Sequence, residues 1–173
     1  MSPRVVLVGL PGSGKSSTGR ALAARLEVDF VDTDELIERA VGRPVTEIFA
    51  ELGEPAFRAA EAEAVASALD GFHGVVALGG GAILGAETRR VLLDSGVPVV
   101  LLHTSMSALV KRIGDGSGRP LLAGSPVSRL AELASQRDAY YRSVARLAVD
   151  TDGRTPDQVA VAIVDLLAAA QVR

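Results

Sequence analysis

At 173 residues the chain has the size of one domain, long enough to bury a substantial core and too short to leave much room for a second folding unit. Its make-up is 48% hydrophobic and 23% charged, with a formal net charge of -3 and no acidic or basic tail, so neither a nucleic acid nor an anionic membrane is the expected partner. Cysteine is absent, which excludes a disulfide framework, a thiolate metal site and a thiol nucleophile, and fits a reducing compartment.

The first apolar run, Val5 to Leu10, is far too short for a signal h-region or a membrane span and leads directly into a glycine loop, so it reads as a buried strand. Similar runs follow at Val28 to Val31, Val75 to Leu78, Val97 to Leu102 and Leu147 to Val149. Nearly continuous Val and Leu, rather than alternation, suits strands covered on both faces, as in a parallel sheet between two helix layers. This predicts an α/β fold. Helix punctuation lies between the runs: a helix from Ser17 to Leu26, and Gly42-Arg43-Pro44 ending one helix and opening another. Ser125-Pro126 places a hydroxyl cap before a proline, and Thr155-Pro156-Asp157-Gln158 forms a capping box. Ile113 to Gly124 holds four glycines and no apolar period, so it is expected to be a loop. The apolar stretch from Val159 to Val172 is interrupted by Asp165 and is too short to cross a bilayer, so a cytoplasmic location is expected. His73 and His103 stand alone, and no zinc site is expected.

Gly9-Leu10-Pro11-Gly12-Ser13-Gly14-Lys15-Ser16 satisfies G-x-x-x-x-G-K-[ST], between a predicted strand and a predicted helix. Glycines let backbone N–H groups converge on phosphate oxygens, and the helix amino terminus adds a positive dipole. Lys15 supplies a point charge and the Ser16 hydroxyl can ligate Mg²⁺. A glycine-rich turn needs no ligand, but that reading leaves the Lys and the following hydroxyl unexplained. The loop specifies a nucleotide, not a reaction. A guanine-specific switch would need N-K-x-D, and the chain contains no asparagine. A motor or transport ATPase would end a later strand in an acid, whereas Val75 to Leu78 ends in Gly79-Gly80-Gly81. The acid is expected in Val31-Asp32-Thr33-Asp34: in an extended segment residues two apart face one side, so both carboxylates would point beyond the sheet's carboxyl edge. One could hold Mg²⁺ and the other take a proton. Spacing is equally compatible with Asp34 capping a helix from Glu35 while Asp32 fills a turn.

In collinear order, Gly9 to Ser17, Asp32-Thr33-Asp34, Phe57-Arg58, Gly79-Gly80-Gly81-Ala82 and Arg119-Pro120-Leu121-Leu122 make the chain resemble the shikimate kinase family over essentially its whole length. The resemblance implies a five-stranded parallel sheet flanked by helices on both faces, a P-loop fold of the nucleoside monophosphate kinase-like kind. It implies a substrate-binding subdomain at about 33–61, a lid loop at about 113–124, and transfer of the ATP γ-phosphoryl group to the 3-hydroxyl of shikimate in aromatic amino acid biosynthesis. ATP and shikimate would be its small-molecule partners, Mg²⁺ its cofactor, and a monomer its working form.

Carried over by position, Asp34 would contact the shikimate hydroxyls and act as base or orienter, with Lys15 and Arg119 beside it as catalytic groups. Asp32 would support Mg²⁺ with Ser16. Arg58 and Arg137 would grip the shikimate carboxylate in guanidinium forks, and Gly79, Gly80 and Gly81 would line the pocket with backbone N–H groups. Gly12, Ser13, Gly14, Lys15, Ser16 and Ser17 would hold the phosphates, Arg119 would close over them, and Arg112 would lie along the adenine. Glu61, three residues after Arg58 on a predicted helix, is expected to hold that guanidinium. Phe49 and Phe57 read equally well as pocket wall or core, and Tyr140 and Tyr141 carry no assignment. One departure stands out: many relatives carry a proline after the second substrate arginine, where this chain has Asp138-Ala139. The rival readings are a related small-molecule kinase such as a gluconate kinase, and a non-catalytic nucleotide-binding module. Ser16-Ser17 argues against a nucleoside monophosphate kinase.

Overall fold

A computed structural model describes residues 4–113 and 126–171. Five strands form one parallel sheet: β1 (Val5–Val8), β2 (Asp29–Asp32), β3 (Gly74–Ala77), β4 (Val99–His103) and β5 (Leu147–Asp150), in the order β2-β3-β1-β4-β5. Each boundary lies within about two residues of the apolar run that predicted it, the usual fraying of strand ends. β1 is central and wholly buried, as its unbroken Val and Leu require.

Successive β1 side chains serve opposite layers. Val6 and Val8 pack with Val76, Leu78, Val65, Leu92 and Val144 on one face, while Val5 and Leu7 pack with Leu22, Val100, Val159 and Ile163 on the other. The first layer is built by α3 (Val45–Gly71), α4 (Ala86–Asp94) and α6 (Pro126–Val144), and the second by α1 (Lys15–Leu26) and α7 (Pro156–Gln171). Two shorter helices, α2 (Thr33–Val41) and α5 (Met106–Ile113), follow β2 and β4 at the carboxyl edge. Because all pairings are parallel, the chain leaves every strand at this one edge, where ligands of open α/β sheets collect.

The expected punctuation operates. Gly42 ends α2 at φ 74°, donating its N–H to the Glu38 carbonyl, and Glu38 Oε1 accepts the Val45 N–H at 2.9 Å, tying the start of α3 back to α2. Thr155 and Gln158 cap α7 reciprocally, with Thr155 N–H donating to Gln158 Oε1 at 2.9 Å and Gln158 N–H to Thr155 Oγ1 at 3.2 Å. Ser125, the proposed cap of α6, lies outside the described residues, and α6 begins at Pro126. Inside α3, Gly53 takes φ 79° and ψ 169°, two residues before Pro55. Proline lacks the N–H that a continuous helix needs, and glycine supplies the turn that breaks it. Among the described residues no helix is long and apolar enough to cross a membrane.

Ile163 is wholly buried on α7, in the core layer shared with α1. Ile163→Ala is expected to cost roughly 2–5 kcal/mol of unfolding free energy by loss of transfer energy and creation of a cavity. Denaturant unfolding would check it, and a loss below about 0.5 kcal/mol would contradict the two-layer core.

Candidate active site

The loop from β1 to α1 is shaped by Gly12 at φ 82° and Gly14 at φ 88°, left-handed values that favour glycine. No side chain caps α1, so the amino end of the helix is open to an anion. Lys15 Nζ curls back to donate to the Gly9 and Leu10 carbonyls at 2.8 and 3.0 Å. Ser16 Oγ donates to Asp32 Oδ2 at 2.5 Å. Arg112 on α5 donates to the Thr151 carbonyl at 2.9 Å and to Thr151 Oγ1 at 3.1 Å, and reaches within 3.5 Å of the Ser13 carbonyl, so it spans the gap between the end of β5 and the loop.

The Asp32-Thr33-Asp34 segment differs from the extended arrangement expected for it. β2 stops at Asp32, whose carboxylate is the cap of α2, with Oδ1 accepting the Asp34 N–H at 2.9 Å. Asp34 therefore sits in the first turn of the helix, and the capping role considered for Asp34 belongs to Asp32. Both carboxylates still border the cleft, brought there by the helix turn rather than by strand periodicity. A serine hydroxyl and one carboxylate beside a phosphate loop suit Mg²⁺, which takes one or two protein ligands and completes its shell with phosphate oxygens and water. Among the described residues no cluster of three or more His, Cys, Asp or Glu could hold a metal unaided.

A cavity of about 570 Å³ runs from Gly12, Lys15 and Ser16 past Asp34 to Arg58 and Arg137. Arg58 Nη1 pairs with Glu61 Oε2 at 2.6 Å, as the i, i+3 spacing predicts, and its guanidinium lies 5.3 Å from the Phe57 ring centroid. Phe57 and Phe49 meet at 4.6 Å between centroids; both border the cavity, and Phe57 also packs on Ile37 and Ile48, so wall and core readings both hold. Arg137 is only 2% exposed, yet its Nε and Nη1 have no hydrogen-bond partner. Asp34 Oδ1 and Ser13 Oγ are likewise buried without partners.

Burial pushes the Asp34 carboxyl up to about 6, with the Asp32 and Glu61 charges adding to the rise and Lys15 opposing it. Burial also raises Glu61, against the pull of Arg58 and Arg137.

Gly79, Gly80 and Gly81 border the cavity. The Gly79 N–H is not offered to a ligand: it donates to Thr33 Oγ1 at 2.9 Å. A Cβ at Gly79 would fall 2.6 Å from Asp34 Oδ1 and 2.7 Å from Glu61 Oε1, and one at Gly81 would collide with the Arg58 guanidinium. Gly79 and Gly81 make room for the protein's own charged side chains, and Gly80 for Pro11 of the phosphate loop. Sequence reasoning missed Thr33 and Tyr141, whose hydroxyl donates to the Gly80 carbonyl at 2.5 Å. It also passed over Thr46 as a lining residue. No local pattern marks any of these three. Arg119 and the proposed lid loop, beyond its first residue Ile113, lie outside the described residues.

A phosphate-binding loop sharing one cleft with a charged acceptor pocket, on a parallel five-stranded sheet, defines a P-loop kinase of small molecules. The family model for shikimate kinase matches residues 11–168. A shikimate kinase of Salinispora arenicola is 52% identical over 98% of this chain and 100% of its own length. One of Thermobifida fusca is 50% identical, covering 97% and 96% respectively. The structure of shikimate kinase from Acinetobacter baumannii in complex with shikimate superposes with a TM-score of 0.94 at 32% identity, covering 100% of this chain and 96% of the other. The chain belongs to the shikimate kinase family, and it is an ATP-dependent kinase.

The raised Asp34 carboxyl has a testable sign. With a folded value near 6 against an ordinary 3.8, its contribution to stability is fully present below about pH 4 and is lost as pH rises through 6. Above that range the folded protein carries a buried charge that an amide lacks. Asp34→Asn is expected to increase the unfolding free energy at pH 7.5 by on the order of 2 kcal/mol, and to change it little at pH 4. Paired denaturation curves at the two pH values check this; equal effects at both would rule out the buried-charge account.

Proposed function

We propose that the cleft transfers the γ-phosphoryl group of ATP in line to the 3-hydroxyl of shikimate. The observation that carries this is Arg137, buried with two guanidinium nitrogens unsatisfied in the cavity that Lys15 also lines. A buried donor left without a partner is costly, and a carboxylate brought by the acceptor relieves that cost with a charge-assisted fork. Arg58, held by Glu61 and stacked on Phe57, presents a second guanidinium to the same cavity.

Two anchoring arginines would hold the acceptor ring so that one hydroxyl faces Asp34. A carboxyl near 6 is mostly ionised at neutral pH and accepts a hydrogen bond, and a proton, from that hydroxyl more readily than an ordinary carboxylate. Lys15 and the amino end of α1 would neutralise the phosphates. Ser16 and Asp32 would hold Mg²⁺, which would add positive charge beside the phosphates. Gly12, Ser13, Gly14 and Ser17 would complete the phosphate cradle. Arg112 would lie along the base, in keeping with its anchorage on Thr151. The roles of Arg119 and of the lid loop rest on the family likeness alone. Protein groups in this scheme supply position and charge rather than covalent chemistry.

A coupled assay of ATP turnover with shikimate, gluconate and nucleoside monophosphates tests the acceptor, and turnover is expected with shikimate only. Arg137→Ala should raise the shikimate dissociation constant about 10- to 150-fold, the worth of a lost charged hydrogen bond, while ATP binding stays within about twofold. Equal loss of both affinities would count against Arg137 as the acceptor anchor.

A further inference from the structure

We propose that Tyr141 is a positioning residue for the acceptor site, its hydroxyl holding the Gly80 carbonyl and so setting Arg137 in register with the glycine segment and the phosphate loop. This rests on reading the cleft as a shikimate-phosphorylating site. Four observations converge on it.

Arg137 and Tyr141 are four residues apart on α6 and therefore share one face of that helix. The Tyr141 ring is 3% exposed and packs in the core with Leu78, Ala82 and Ile83, the residues that bracket the three glycines. Its hydroxyl reaches across to the strand end and donates to the Gly80 carbonyl at 2.5 Å. Gly80 in turn abuts the phosphate loop, since a Cβ there would lie 3.1 Å from Pro11 Cδ. A row of contacts thus runs from α6 through Gly80 to the loop that holds the phosphates.

Arg137 gains most from such a tie. Its Nε and Nη1 have no protein partner, so those two nitrogens do not fix its aim before an acceptor arrives. The placement of the guanidinium then depends on where its helix sits relative to Gly79–Gly81, and the phenol is the group that joins the two. Burial raises the phenol to about 12, against the pull of the neighbouring Arg137 charge, so the hydroxyl remains a donor throughout the neutral range. A phenylalanine would keep the core ring and remove the hydroxyl, leaving the Gly80 carbonyl without this donor and Arg137 without the phenol oxygen beside it.

The experiment compares steady-state constants of the full-length protein and Tyr141→Phe, with wild-type turnover of shikimate as the reference. Expected for the variant is a shikimate KM raised about 5- to 20-fold with an ATP KM within twofold of wild type. A merely structural tyrosine would lower the melting temperature and leave this split at unity. An unchanged shikimate KM, or equal rises in both constants, overturns the proposal while leaving the assigned reaction standing; absence of wild-type turnover of shikimate overturns both. A second measurement does not depend on that variant folding. The chain has no tryptophan and two tyrosines, so in Tyr140→Phe the near-ultraviolet absorbance at wavelengths longer than the phenylalanine band reports Tyr141 alone. Tyr140 stacks on Arg89 at 4.2 Å, outside the cleft residues. Titration with shikimate should give a saturable difference spectrum, and a flat spectrum at saturation overturns the proposal.

Discussion

Both oxygens of the Asp32 carboxylate are committed, one to the Ser16 hydroxyl at the start of α1 and the other to the Asp34 N–H at the start of α2. A single side chain therefore ties the end of the phosphate loop to the turn that carries the carboxylate on the acceptor side. Helix α1 packs on the opposite face of the sheet from α3, and the Asp32 carboxylate joins α1 to α2 at the carboxyl edge beside the Arg20–Glu35 ion pair. The same group caps a helix, a local stabilisation typically of about 1 kcal/mol. Structural and functional demands thus fall on one residue.

The cleft concentrates charge at a cost to stability. Asp34 and Glu61 are both pushed toward protonation by burial, and Arg137 is buried with two nitrogens unsatisfied. A buried charge without a partner costs several kcal/mol, and proteins keep one where a ligand completes the set. Glu61 and Arg58 moderate each other at 2.6 Å, whereas Asp34 Oδ1 and Arg137 Nε and Nη1 are buried without partners. This imbalance has the sign that an anionic, hydroxyl-bearing acceptor would correct.

Side chains this close to one another need backbone without bulk. Gly79 and Gly81 stand where a Cβ would enter the Asp34 and Glu61 carboxylates or the Arg58 guanidinium. Thr33 and Tyr141 then anchor the glycine segment from two sides, through the Gly79 N–H and the Gly80 carbonyl. A stretch of three glycines would be expected to fluctuate; these two hydroxyls hold it in place.

What could be read from the residues in order is what local physics decides. Nearly continuous apolar runs marked β1, β3 and β4 because burial on both faces leaves no polar alternation, whereas the edge strands β2 and β5 were marked by shorter runs and are only partly buried. The phosphate loop was legible because its glycines, lysine and hydroxyl act within a few residues of one another. Glu61 could be assigned to Arg58 because helix geometry brings i and i+3 together. The reversal of the Asp32 and Asp34 capping roles was not legible, since a two-residue spacing fits both a strand end and a helix cap, and the hydrogen bonds of the turn decide between them. Nor were the bonds from Thr33 to Gly79 and from Tyr141 to Gly80, which join residues 46 and 61 positions apart. Sequence alone thus determined the elements and the nucleotide cradle, whereas only the packed sheet decided which distant hydroxyls hold the glycines and which charges face one another. Contacts of that kind have no period along the chain and exist only once the strand ends share an edge.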